Sequence, residues 1–251
     1  MDWHKRYLQQ ASWTRELRAY LMKKAGISGA RRILEVGSGT GVILHEVAQT
    51  AAGPGGRSCS IHGLDLRAGS LLHCRLHEPS AHLSQADALA LPYADAVFDI
   101  TFCHFLLLWV KEPGQALREM RRVTCRHGHV LALAEPDYSA RVDRPDALAV
   151  LGRWQERSLA RQGANTAIGS RLAELFRDSG LEIIETGALS PWQPQSLGRD
   201  DLAGEWEMLR EDLNGLVPES ELDRMMKLDA QARQRAERIL HVPTYFVHAQ
   251  V

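Results

Sequence analysis

Charge of one sign is what this sequence lacks most plainly. Its 251 residues carry 30 Lys and Arg against 31 Asp and Glu, a formal net charge of −1. No global basic field is available to hold a polyanion, so nucleic acid is not an expected partner. Long apolar runs are missing too: no stretch approaches the roughly 18 residues of a spanning helix, and Met1–Arg6 has no apolar signal core. No membrane association and a cytoplasmic location are therefore expected. Cysteine is scarce, with Cys59, Cys74, Cys103 and Cys125 scattered and no C-x-x-C pair, which signals neither zinc nor a disulfide framework. The histidines form no H-E-x-x-H or comparable pairing, so no metal is assigned. The length is that of one domain with additions.

What is present is a glycine turn. Ile33-Leu34-Glu35-Val36-Gly37-Ser38-Gly39-Thr40-Gly41 reads as an apolar strand, an acid and three alternate glycines before an amphipathic helix. Gly37 and Gly39 let the backbone turn around Ser38 close to a ligand, and Gly41 lets the next helix pack closely. This implies an adenine-containing cofactor. A dinucleotide pyrophosphate needs G-x-G-x-x-G, a spacing that Val42 breaks. Glu35 suits a cationic ligand instead. Thirty residues on, Asp65 ends a second apolar strand, just before Leu66, and can accept from both ribose hydroxyls. Asp87 ends a third and can accept from an adenine amino group beside the Ala88 amide.

The E-x-G-x-G-x-G pattern resembles motif I of class I S-adenosylmethionine (SAM) methyltransferases. Leu91-Pro92-Tyr93-Ala94-Asp95-Ala96-Val97-Phe98-Asp99 resembles that family's approach to strand four. Glu119-Met120-Arg121-Arg122-Val123 followed by Gly128 resembles its helix-to-strand five segment, with Cys125-Arg126-His127 replacing the usual Lys-Pro-Gly. Within the family the ubiquinone/menaquinone-biosynthesis-like small-molecule branch is the nearest resemblance. It implies an α/β fold, a doubly wound Rossmann-like seven-stranded sheet with the last strand antiparallel. SAM would be the cofactor and S-adenosyl-L-homocysteine (SAH) its product. Strands are expected at 31–36, 58–65, 81–86, 97–103, 128–135, 181–186 and 244–251, with a helix over 171–181.

Three segments exceed that core: 1–25 as an N-terminal helical cover, and helical insertions at about 136–168 and 191–240 in the 26–251 domain. Trp3, Trp13, Trp154, Trp192 and Trp206 lie in them and favour a small organic acceptor. Asp143-Arg144-Pro145 reads as a helix start. In relatives the end of strand four faces the methyl group. Cys103 is therefore placed at the cofactor and His104 as candidate base, with Glu135 as the alternative. Asp137, beside it, is a second substrate-contact candidate. Glu135-Pro136-Asp137-Tyr138 does not fit the planar-nitrogen motif, which belongs after strand four. Tyr7, Gln10 and Arg15 are expected to close over the cofactor, Arg15 pairing its carboxylate. The reading is direct methyl transfer to a small molecule. A non-catalytic SAM-binding protein and an RNA or protein methyltransferase are the alternatives, and oligomeric state is open.

Overall fold

The computed structural model describes residues 3–52, 59–189 and 199–251. Its strands are β1 Arg32–Val36, β2 Ser60–Asp65, β3 His82–Gln85, β4 Phe98–Cys103, β5 Thr124–Pro136, β6 Val142–Arg144, β7 Glu182–Ala188, β8 Ile239–His241 and β9 Thr244–Gln250. Seven form one sheet in the order β3-β2-β1-β4-β5-β9-β7, with β9 antiparallel to both its neighbours. This is the expected doubly wound sheet, in which the order of strand addition reverses between the parallel β1 and β4, where such folds open a ligand crevice. Ser58, the expected first residue of strand two, lies outside the described residues.

Both faces are covered, which is why the central strands bury apolar side chains on both sides, Ile33, Leu34 and Val36 on β1 and Ile100, Phe102 and Cys103 on β4. One core layer joins Phe98, Leu117, Met120 and Phe176 to the helices α5 (Pro113–Val123) and α7 (Ile168–Asp178). The other joins Ile33, Phe102 and Leu131 to α3 (Val42–Ala51). β5 starts four residues earlier than its apolar run, with His127 at φ 63°. Gly128 is needed there: a Cβ would lie 2.8 Å from the Asp99 carbonyl oxygen.

The N-terminal segment is two helices, α1 (Trp3–Trp13) and α2 (Arg15–Lys24). α2 belongs to the body, since Leu21 and Met22 are buried in the second core layer. α1 crosses the glycine turn. The two insertions form one structure. α6 (Ala149–Arg161), α8 (Arg199–Leu213) and α9 (Glu219–Gln234) share a small core of Leu148, Leu151, Leu213, Leu222 and Met225. The hairpin-like pair β6–β8 ties them together. That pair corrects the reading of Asp143-Arg144-Pro145 as a helix start. Asp143 is a buried strand residue held between Arg141 and Arg238, and the helical turn begins only after Pro145. Short local signals could not reveal a partner strand nearly a hundred residues away.

Candidate functional site

The glycine turn is bent by φ of 79° at Gly37, 51° at Gly39 and 82° at Gly41, a region costly for residues with a Cβ. The amides of Gly37 and Ser38 donate to the Leu64 carbonyl at 2.7 and 2.8 Å, and Gly39 donates to Asp65 Oδ2 at 2.9 Å. The ends of β1 and β2 are thereby locked into one rim. A cavity of about 740 Å³ opens at this rim. Glu35, Gly37, Ser38, Gly39, Asp65 and Leu66 line one side, Asp87 and Ala88 another, and Tyr7, Gln10 and His104 close it. Tyr7 lies so near the turn that a Cβ on Gly39 would meet its ring at 2.9 Å.

Two buried polar atoms in this wall, Glu35 Oε2 and Ser38 Oγ, have no hydrogen-bond partner among the described residues. Such groups are costly unless something completes them. Burial drives the Glu35 carboxyl well above its usual range, against the attraction of Arg18. A cation or donor at this place would restore both partners, so the wall fits a cofactor that carries positive charge. Asp65 Oδ1 also accepts from the Arg67 amide at 2.9 Å and Asp87 Oδ1 from the Leu89 amide at 3.0 Å, which fixes both carboxylates at the rim.

Other expected site residues are placed elsewhere. Arg15 is exposed on α2 and lines neither cavity described here; Arg6 and Arg67 are the arginines at the rim. Gly41 sits behind the turn, where a Cβ would be 2.5 Å from Cys74 Sγ, so it admits α4 (Ala68–His77) rather than a ligand. Cys103 is fully buried and its thiol is pushed up by burial. Glu135 is fully buried too. Its carboxylate accepts from the amides of Leu106 and Leu107 at 2.9 Å and Leu108 at 3.2 Å, capping the turn after β4. Burial raises it to about 7 despite those amides. Asp137, likewise, accepts from Ser139 and the Ala140 and Ser170 amides.

His104 does reach the cavity, but its Nε2 is 2.9 Å from Thr14 Oγ1, which accepts from the buried Arg18. The arrangement that satisfies both has the Thr14 hydroxyl donating to Nε2. Burial, then the Arg18 charge, lowers His104 to about 3. A base works best with a pKa near the working pH, so this environment holds a neutral imidazole rather than a proton acceptor.

A second cavity of about 220 Å³ lies under the cover, walled by Trp13, Phe105, Tyr138, Trp206, Leu209 and Glu205 among others. Arg6, Gln10, Phe105 and Tyr138 line both cavities and form their junction. Sequence reasoning found the tryptophans as a group but missed Tyr138 and Arg6, because no local pattern marks a junction built from three distant segments, and missed Glu205, which lines the second cavity alone. Trp192 and the Trp3 side chain lie outside the described residues, and Trp154 packs in the cover core.

A methyltransferase domain model matches residues 34–132. The chain is 34% identical over 166 residues to a phosphatidylethanolamine N-methyltransferase from Cereibacter sphaeroides, covering 64% of this chain and 74% of that one. It belongs to the class I SAM-dependent methyltransferases. A malonyl-[acyl-carrier protein] O-methyltransferase from Erwinia pyrifoliae is 33% identical over 182 residues, 72% of this chain and 60% of the relative. Across five of the curated relatives that it matches, the chain spans 34% to 61% of their length. In fold it is similar to a Bacillus halodurans protein provisionally named a methyltransferase, with TM-score 0.64, 16% identity, and 92% and 97% of the two chains covered. Among the described residues no helix is long and apolar enough to cross a membrane, and no cluster of metal-ligating side chains occurs.

Proposed function

We propose that the protein transfers a methyl group from SAM to a small organic acceptor seated in the cavity under the cover. The observation that carries this reading is the junction of the two cavities, one edged by the glycine turn and orphaned Glu35 Oε2, the other by aromatic side chains. Bound at the turn, SAM supplies an electrophilic methyl on a sulfonium. Displacement then needs alignment and exclusion of water more than acid–base help. Glu35 would hold the cationic part of the cofactor, and Asp65 and Asp87 its ribose and adenine. Tyr7 and α1 roof the turn, and Gln10, Phe105 and Tyr138 orient the acceptor. His104 acts here as a positioning residue that fixes Thr14 between α1 and α2.

Titration calorimetry with SAM, SAH and NAD tests the cofactor, and SAH release over a panel of small acceptors tests turnover. SAM and SAH should bind in roughly the micromolar range with NAD silent. Strong NAD binding, or SAM binding without turnover on any acceptor class, would overturn the reading in favour of a dehydrogenase or a non-catalytic sensor.

A further inference from the structure

Along one side of the cavity under the cover runs a chain of alternating charges, of which all but the buried Asp143 line the cavity. Arg141 contacts Asp143 at 2.8 Å, Asp143 contacts Arg238 at 2.7 Å, and Arg238 contacts Asp229 at 2.5 Å. Arg233 follows, 2.8 Å from Asp229 and 3.3 Å from Glu205. Every interior member touches two opposite charges. The positive end is also well supplied, since Arg141 grips Asp143 through two nitrogens and donates to Gln155. The negative end is not: among the described residues Glu205 meets one arginine, through Oε2, at the longest distance in this series.

The electrostatics follow that geometry. Burial pushes the Glu205 carboxyl up even with Arg233 beside it, whereas Asp229, although buried, is held below its usual range by Arg233 and Arg238. Unlike Glu35, Glu205 is partly exposed and keeps one arginine partner, which leaves it the carboxylate of this chain of charges with the least positive charge against it. Trp13, Phe105, Tyr138 and Trp206 line the same cavity, and aromatic rings of this kind favour a cation. An anionic acceptor would face Glu205 and find Arg6 already engaged with Asp212 and the other three arginines engaged within the chain.

We propose that the acceptor is a small amine, its ammonium anchored at Glu205 and the group to be methylated directed to the junction at Gln10 and Tyr138. The inference rests on the reading of this cavity as the acceptor site. Its volume, below the roughly 300–1,000 Å³ of typical ligand pockets, suits a compact molecule. The amine is an anchor, because Glu205 lines the acceptor cavity but not the cofactor cavity.

Calorimetry on the full chain loaded with SAH tests the proposal with three probes of similar shape: 2-phenylethylamine, 2-phenylethanol and 3-phenylpropionate. The amine should bind about tenfold or more tighter than the alcohol, and the acid weakest. In Glu205→Gln the advantage of the amine over the alcohol should shrink to about threefold or less, with SAH affinity unchanged. Should that variant fail to fold, the ranking on the wild-type chain decides alone. An alcohol or acid that matches the amine, or an amine without saturable binding, overturns the inference. SAH is titrated separately, so its failure to bind counts against the proposed function instead.

Discussion

Glu35 is buried with one oxygen unpartnered, and its protonation is the cheapest way for the free protein to tolerate it. Because its pKa lies well above the usual range, binding a cation there should release a proton, and SAM affinity should rise with pH until the carboxyl ionises on its own. Calorimetry in buffers of different ionisation enthalpy would measure that release; affinity independent of pH would count against the role. Glu35→Gln should lower SAM affinity by about 10- to 100-fold, the loss of one charge-assisted hydrogen bond, while the free protein stays as stable or gains. His104 leads to the opposite expectation. With its imidazole near 3 and Nε2 engaged by Thr14, His104→Ala should slow single-turnover methyl transfer by less than about tenfold. A true general base would give about 100-fold or more, and such a loss with a shifted pH profile would restore the base role.

The turn after β4 depends on an element away from it. Glu135 on β5 caps three of its amides, and Leu106, Leu108 and Trp109 of that turn line the cofactor cavity. Glu135→Gln replaces one acceptor oxygen with an N–H donor facing donors. The expected cost is about 1–3 kcal/mol of stability in chemical denaturation, with weaker SAH binding through the distorted turn. Equal stability with lost turnover would instead mark Glu135 as chemical. α1 is the other dependent element. Tyr7 roofs the turn, His4 Nδ1 sits 2.9 Å from Thr40 Oγ1, and Arg6 reaches Asp212 on α8 at 3.3 Å. One helix thus links the glycine turn and the cover, and its amides should gain hydrogen-exchange protection when SAH binds. Equal protection in both states would make it fixed scaffolding.

The whole molecule should be sensitive to acid. His104 near 3, and His62 and His248 near 4, are held neutral chiefly by burial. Against an unfolded value of about 6.5, their contribution is complete above pH 6.5 and is lost as pH falls toward 3–4. Glu135 acts oppositely, since a folded value of about 7 means stability recovers as pH falls from 7 toward 4.5. Glu35 shares that sign. Asp137 and Asp229, held below their usual range by hydrogen bonds, add to the loss at lower pH. The urea midpoint should therefore decline between pH 6.5 and 4, with net proton uptake on unfolding. A flat or rising midpoint would show that the raised carboxyls Glu35 and Glu135 outweigh the histidines or that the histidines are already charged in the fold.

By itself the sequence determined where the seven strands lie and which acids and glycines end them, and its resemblance implied the doubly wound sheet; the strand order came from the tertiary structure. The strands and their ends rest on local signals: apolar strands ended by Glu35, Asp65 and Asp87, and glycines where the backbone must take positive φ. Tertiary structure alone decided which polar groups are free. Glu135 and Arg15 look functional in the chain, yet three amides occupy the first and solvent surrounds the second. Conversely Tyr138, Arg6 and Glu205 carry no motif, and come to line one cavity only because β6–β8 and α1 bring distant insertions together. Hydrogen-bond satisfaction and burial depend on every neighbour at once, and no spacing along the chain encodes them.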